Sequence, residues 1–248
     1  MIKSKVARVL LYLPARLFEL AVRARIKLYE KNIFRSYKLR SPVISVGNLT
    51  VGGTGKTPCV AYLTSMLEGE GLRVAIISRG YKRKSSGRVL VSDGSGILCT
   101  PEQAGDEPYL LARLSPKATV VVDGDRYAAG TWAEENAGIS IIILDDAYQH
   151  LRLTRDLNIA LIDAGDNLEE LRMIPFGRLR EPLDGLRRAD TVIVTRSDRL
   201  FDKNTIESTI NRFSGKGAPR KTDRRSRKSG NEDRLHSRFQ GSSSLCHR

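Results

Sequence analysis

Val43-Ile-Ser-Val-Gly47-Asn-Leu-Thr50-Val-Gly-Gly-Thr-Gly55-Lys56-Thr57-Pro58-Cys-Val-Ala-Tyr-Leu63 decides how the rest of the chain is read. A short apolar run passes into a glycine-rich turn, and Gly-Lys-Thr opens a helix. This is the strand, loop and helix context of a phosphate-binding loop. Thr50, Val51, Gly52, Gly53, Thr54, Gly55, Lys56 and Thr57 form the candidate cradle. Gly52, Gly53 and Gly55 carry no side chain, so backbone N–H groups can close around phosphate oxygens. Lys56 is placed for the outer phosphates and the Thr57 hydroxyl for a Mg²⁺ ion, while the helix N-terminus adds its own positive end. Thr50 stands where the common pattern has its first glycine. A glycine-rich turn with a chance Gly-Lys-Thr is the competing reading, and the readable strand and helix on either side argue against it.

Further apolar, β-branched runs follow at 73–77, 119–122, 139–144, 158–162 and 191–194, with helix-like segments between most of them. Continuous apolar strands alternating with helices predict a mostly parallel sheet covered on both faces, an α/β fold of the P-loop NTPase kind. Val89-Leu-Val-Ser-Asp-Gly-Ser-Gly-Ile-Leu-Cys99 reads as a β-hairpin turning at Asp93-Gly94, inserted after the second strand. Ligands of such sheets bind at the carboxyl ends of the strands, so the polar residues after each run are the candidates for chemistry.

Asp145 and Asp146 follow the run 139–144, where a phosphate-loop protein keeps the carboxylates that serve Mg²⁺. Capping of the next element is the structural alternative. Gln149 and His150 lie on the same loop. Gly105-Asp106-Glu107-Pro108 opens a helical pattern, and Asp106 reads either as an N-cap or as a carboxylate able to take a proton from an attacking hydroxyl. Ser78-Arg79-Gly80-Tyr81, Asp125-Arg126 and Arg178-Leu-Arg180-Glu181-Pro182 are three arginine-bearing loops on the carboxyl edge that could hold phosphates. Thr195-Arg-Ser-Asp198 is a weak echo of the Thr-Lys-x-Asp that reads guanine in GTPases, with Arg196 in place of the lysine.

The 248 residues carry a formal net charge of +14, unevenly placed. Residues 1–40 hold 11 Lys/Arg against two acids and 214–248 hold 10 against three, so the body at 41–213 is at −2. A basic nucleic-acid domain would carry its charge on the folded body, and no specific nucleic acid is expected here. Three dispersed cysteines (Cys59, Cys99 and Cys246) and three scattered histidines offer no disulfide framework or zinc centre.

Residues 1–40 are expected to form an amphipathic helix. Val6, Leu10, Leu13, Leu17, Leu20, Ala24 and Leu28 recur at steps of three and four, with charges on the other side and Pro14 interrupting. The run is too broken by charge to span a bilayer. From periodicity alone, docking on an anionic membrane surface and packing on the chain's own domain are equally good readings. Residues 214–248 are Ser/Arg-rich with few apolar side chains, expected to be disordered. A basic nucleic-acid tail and an out-of-frame remnant are the two readings.

Five stretches together resemble the tetraacyldisaccharide 4′-kinase family, the lipid A 4′-kinases of Gram-negative bacteria. They are Ser41 to Pro58, Ser78-Arg-Gly-Tyr81, Gly105-Asp-Glu-Pro108, Asp145-Asp-Ala-Tyr-Gln-His150 and Leu179-Arg-Glu-Pro182, in the family's order. The resemblance implies a kinase domain over 41–213 that uses ATP and Mg²⁺ to phosphorylate the 4′-hydroxyl of a lipid disaccharide 1-phosphate. It implies an enzyme held at the cytoplasmic face of the inner membrane, with the N-terminal helix docked there. Carried over residue by residue, Lys56 and Thr57 bind phosphate and Mg²⁺, Asp106 is the catalytic base, and Asp145 and Asp146 serve the metal. Arg79, Gln149, His150 and Arg180 contact acceptor or phosphate. A P-loop ATPase or GTPase acting as a membrane-associated nucleotide-binding protein is the alternative; the signature lysine of the partitioning ATPases is replaced by Val51. Ala147 and Tyr148 depart from the family's Gly-Phe, a mild change unless position 147 needs positive φ. The family's C-terminal lobe, with its Asp-His-His stretch, has no counterpart here. The chain is therefore expected to be a frameshifted or degraded product of weak or no activity. Oligomeric state is not readable.

Overall fold

The computed structural model describes residues 5–196 and 203–214. The chain divides into two compact units. One comprises Asn32–Gly47 and Gly55–Asp156; the other comprises Met1–Lys31, Asn48–Thr54 and Leu157–Arg248.

The first of these holds the strands β1 (Val43–Asn48), β2 (Val74–Ser78), β3 (Val89–Asp93), β4 (Thr119–Val122) and β5 (Ile141–Asp145). Their order is β3-β4-β2-β5-β1. All neighbours are parallel except β3, which runs antiparallel to β4. Four helices complete the unit: α2 (Lys56–Gly69), α3 (Pro101–Ala104), α4 (Asp106–Leu114) and α5 (Arg126–Asn136). The chain steps from β1 to β2 to β4 in one direction along the sheet and returns from β4 to β5. Right-handed crossovers therefore place α2 and α4 on one face and α5 on the other. Val43, Ala75, Ile77, Val121, Ile142 and Leu144 pack with Ala129 and Ala133 of α5 in one buried cluster. The period of two along each strand leaves Ile44, Val46, Ile76 and Ile143, all buried, for the opposite face. Full burial of each such side chain contributes about 1.5–3 kcal/mol.

Each expected strand is present within two residues of its apolar run. The hairpin is only partly formed. Its first arm is β3, paired to β4, while its second is reduced to a bridge between Ser92 and Ile97 and the bond from Leu98 N–H to Val91 O (2.8 Å). The turn is held by the Asp93 carboxylate, which accepts from Ser95 N–H at 2.8 Å and Gly96 N–H at 3.1 Å. Pairing to β4 supplies the ladder that the missing second arm would have supplied.

The other unit holds α1 (Lys5–Glu30), the parallel pair β6 (Leu157–Asp163) and β7 (Thr191–Thr195), and α6 (Lys203–Ser214). Pro14 lies inside α1, which runs through it without a second start. Arg23 donates to Asp184 at 2.6 Å and Arg187 to Glu30 at 2.9 Å, tying α1 to the short 3₁₀ helix Leu183–Arg188. Tyr12 meets Phe176 edge to face. Ala15 and Ile26 are buried, whereas Leu13, Leu17 and Leu20 are exposed at 65, 59 and 63 %. The apolar stripe read from the sequence thus faces away from its own unit. The helix does pack on its own unit, through these ion pairs and the face that carries Ala15 and Ile26 rather than through the stripe.

Among the described residues Cys59 and Cys99 take part in no disulfide. Except for Ser214, which closes α6, the expectations for residues 214–248 lie outside the described residues, as do Ser197 and Asp198.

Candidate active site

After β1 the chain turns through Thr50–Thr54 and enters α2 at Lys56. Gly52 has φ +115° and Gly55, the N-cap of α2, has φ +77°, both conformations that side-chain-bearing residues rarely adopt. Lys56 is buried at 8 % exposure and Thr57, beside it in the first turn, is half-buried. The first half of the loop is held from within its own unit. Val51 N–H donates to Arg178 O at 2.7 Å, and Arg178 returns two bonds to Val51 O, from Nε at 3.2 Å and Nη2 at 3.1 Å. Leu179 pairs with Thr50 as an antiparallel bridge, and Arg180 N–H donates to Leu49 O at 2.7 Å. Thr195 Oγ1 lies 3.0 Å from Thr54 O. Arg196, held to Asp163 at 2.6 Å, has φ +56°.

The carboxylates gather in the other unit, with Lys56. Asp145 ends β5, is 2 % exposed and accepts from Ser78 Oγ at 3.1 Å. Burial first, then the neighbouring Asp146 charge, raise its pKa to about 6, against the lowering effect of the Ser78 bond and of Lys56. Lys56 Nζ lies 3.6 Å from Asp146 Oδ1. Asp146 sits at φ +47°, a conformation uncommon for a residue with a side chain and one that collects at functional sites. Positive φ therefore falls at Asp146 and not at Ala147, so alanine at 147 meets no backbone penalty. Tyr148 is fully buried, and its backbone N comes within 2.7 Å of where a Cβ on Gly47 would stand. Glycine is needed there for the aspartate loop to lie against β1.

Arg126, named with Asp125 among the arginine-bearing loops, turns out to be a buried residue. It opens α5 behind Asp125, whose carboxylate caps the helix by accepting from Tyr127 N–H at 3.0 Å and Ala128 N–H at 3.2 Å. Arg126 is 6 % exposed, and its Nε has no hydrogen-bond partner among the described residues. Burial and the like charge of Arg79 lower its pKa; Asp146, Asp145 and Asp123 oppose them. Arg79, Arg126 and the two aspartates thus share one electrostatic neighbourhood. The signal in the sequence was Asp-Arg at a helix start, where the aspartate takes the cap and the arginine is left to turn inward.

Asp106 is the first residue of α4 and is exposed; Gly105 takes the N-cap position at φ +89°, and no side chain caps the helix. The N-cap reading of Asp106 is corrected: glycine occupies that place because Tyr81 O lies 3.1 Å from where its Cβ would be. Gly80, at φ +69°, would in turn bring a Cβ within 2.8 Å of Ala104 O. The Arg79 loop and the Asp106 loop therefore run backbone against backbone, a closeness only glycines allow. Glu107 adds to the field that raises Asp145. Gln149 and His150 are half-buried in the turn after Asp146, and His150 N–H closes that turn on Ala147 O at 2.9 Å. Arg180 belongs to the unit that holds Thr50–Thr54, whereas Lys56, Arg79, Asp106, Asp145, Asp146, Gln149 and His150 share the other.

Among the described residues no three His, Cys, Asp or Glu side chains gather as a metal cluster. Mg²⁺ does not require one: it takes one or two carboxylates and completes its shell with water and phosphate oxygens. A carboxylate raised first by burial and then by its neighbour's charge fits such an ion, because a divalent cation would offset the charge that both disfavour.

The family model for LpxK, tetraacyldisaccharide-1-P 4′-kinase, matches residues 7–242. Tetraacyldisaccharide 4′-kinase of Geobacter sulfurreducens is 51% identical over 187 residues, 75% of this chain and 53% of its own length. The Aquifex aeolicus protein of the same name is 48% identical over 179 residues, 72% of this chain and 56% of its own. The crystal structure of Aquifex aeolicus LpxK in complex with ATP superposes with a TM-score of 0.73 at 45% identity, covering 77% of this chain and 60% of that one. The chain spans about half the length of the curated relatives it matches.

Proposed function

Because this chain belongs to the tetraacyldisaccharide-1-P 4′-kinase family, we propose that it carries the nucleotide half of a lipid kinase. That kinase transfers the γ-phosphoryl group of ATP to the 4′-hydroxyl of a tetraacylated disaccharide 1-phosphate. The observation that carries the reading is the Lys56–Asp146 pair at 3.6 Å beside the buried Asp145. A loop lysine and two strand-end carboxylates on the carboxyl edge of a parallel sheet are the parts that grip a triphosphate.

In this reading the N–H groups of the glycine loop and Lys56 take the β- and γ-phosphate oxygens and stabilise the charge that builds on them. Asp145, Asp146 and the Thr57 hydroxyl would hold Mg²⁺, which would supply positive charge to offset that of the phosphates. Asp106 accepts the proton of the attacking sugar hydroxyl, and its exposed place at the head of α4 leaves the carboxylate open to that hydroxyl. Arg126 and Arg79 supply positive charge near the aspartates, and Gln149, His150 and Arg180 are assigned to acceptor or phosphate contact. The acceptor's acyl chains remain in the bilayer. No described helix is long and apolar enough to cross a membrane, and the exposed Leu13, Leu17 and Leu20 stripe of α1 is assigned to peripheral docking on the cytoplasmic face of the inner membrane.

The test is incubation of the chain with radiolabelled ATP, Mg²⁺ and the lipid acceptor in detergent micelles. Weak labelling of the lipid is expected with the unmodified chain, which spans about half the length of its relatives, and none with Lys56→Ala. Equal labelling by both would remove Lys56, and with it this reading.

A further inference from the structure

We infer that Arg178 and Thr195 are positioning residues for the phosphate-binding amides: each pins one loop carbonyl and thereby aims the glycine N–H on the same peptide plane. The inference rests on the reading of Thr50–Thr57 as a phosphate loop. It adds two residues that reach the loop from distant sequence through its backbone carbonyls.

The argument is geometric. In a trans peptide the carbonyl of one residue and the N–H of the next point in opposite directions. The Val51–Gly52 and Thr54–Gly55 bonds are both trans. Arg178 takes Val51 O with Nε at 3.2 Å and Nη2 at 3.1 Å, so the Gly52 N–H is turned away from the guanidinium. The Val51 N–H is itself fixed on Arg178 O at 2.7 Å, which leaves that residue no freedom to rotate either plane. Arg178 is in turn braced by Asp166 at 2.7 Å.

Thr195 repeats the device three residues later. Its hydroxyl reaches Thr54 O at 3.0 Å and Ile162 O at 3.3 Å; one proton serves both carbonyls, and the shorter contact is with the loop. With Thr54 O held, the Gly55 N–H points the other way.

Both aimed amides belong to glycines at positive φ, +115° and +77°, where the backbone has an unusual number of accessible states. A glycine-rich loop needs that freedom to reach the conformation and needs some outside contact to stay in it. A flipped plane would present a carbonyl oxygen to a phosphate in place of a donor. It would exchange a charge-assisted hydrogen bond for a repulsion. The loss of one such bond corresponds to about a ten- to hundredfold change in affinity.

The experiment measures binding of ATP and of inorganic tripolyphosphate, each with Mg²⁺, to the full chain by titration calorimetry. The variants are Arg178→Ala, Thr195→Val and Thr195→Ser. Thr195→Val keeps the shape and removes the hydroxyl; Thr195→Ser restores it. Arg178 is half exposed, so its removal leaves the core intact. Arg178→Ala and Thr195→Val are each expected to weaken ATP and tripolyphosphate by the same factor, about tenfold or more, with Thr195→Ser within about twofold of the unmodified chain. Equal affinities across all four proteins, or a serine variant as weak as the valine one, would overturn the inference. Failure of the unmodified chain to bind either ligand would overturn the phosphate-loop reading itself, and this inference with it.

Discussion

Lys56 Nζ stands 3.6 Å from Asp146 Oδ1, with the lysine 8 % and the aspartate 28 % exposed. Without nucleotide this contact gives the buried ammonium its counter-charge, and removing one member of such a pair strands the other. In the proposed function the same two groups have different work once nucleotide is bound: the lysine would be drawn to phosphate and the carboxylate to the cation. The sign of a mutational effect should therefore depend on the metal. Asp146→Asn is expected to tighten metal-free ATP binding, because a negative charge beside the phosphates is gone and Lys56 is released. In Mg²⁺ the same variant should bind ATP about tenfold or more weaker. Titration calorimetry with and without EDTA checks this; a change of the same sign in both conditions would contradict it.

Asp145 carries a pH dependence of stability with a definite direction. Its pKa is raised from 3.8 to about 6, first by burial and then by Asp146. The folded state therefore holds the proton more tightly than the unfolded state. The contribution is fully present below about pH 4 and lost as pH rises to about 6, at most about 3 kcal/mol. Asp145→Asn removes this loss. In denaturant melts without divalent cation, its stability relative to the unmodified chain should increase between pH 4 and pH 7 and level off above. A difference that is constant over that range would count against a buried, raised carboxylate.

Much of the parallel sheet was legible because its strands are buried on both faces. Val74–Ser78 and Ile141–Asp145 are each four apolar residues in a row before a polar end, the mark of a strand covered on both faces. The second arm of the hairpin was not legible, since Ile97 and Leu98 are partly exposed and β3 found its ladder on β4 instead. Within the candidate site, the loop, the aspartate pair and Asp106 announce themselves by local spacing. Arg178 and Thr195 do not: they act across 127 and 141 positions of sequence, through hydrogen bonds to backbone carbonyls that any residue at 51 or 54 would offer. Arg126 was legible as a loop arginine but not as a buried one, since whether an arginine at a helix start turns inward depends on what the cap leaves free.

The stripe on α1 was legible as a periodicity but not as a direction. The structure turns Leu13, Leu17 and Leu20 outward, while Arg23 and Glu30 tie the helix down by ion pairs. Substituting all three leucines by glutamine should therefore leave the thermal midpoint within about 2 °C, because exposed positions away from packing carry little stability. Binding to vesicles rich in anionic lipid should fall about a hundredfold or more, since each leucine forfeits part of its transfer energy of about 1.5–3 kcal/mol. Co-sedimentation with vesicles measures the second effect. Undiminished binding would move the docking surface elsewhere.

Asp106 tests whether the head of α4 is built for stability or for chemistry. Gly105 occupies the cap position, no side chain bonds there, and Asp106 is exposed. What remains for its charge structurally is attraction to the helix N-terminus, about 0.3–1 kcal/mol at an exposed site. Asp106→Asn keeps the shape and removes the basic carboxylate. The thermal midpoint should then fall by no more than about 4 °C, and affinity for ATP with Mg²⁺ should change less than about twofold. Phosphoryl transfer to the lipid acceptor should drop by about 10²–10⁴, the usual worth of a positioned general base. Single-turnover transfer from labelled ATP separates the chemical step from binding. If rate and ATP affinity fell together by the same factor, Asp106 would be a nucleotide contact and the proton would have to go to another group.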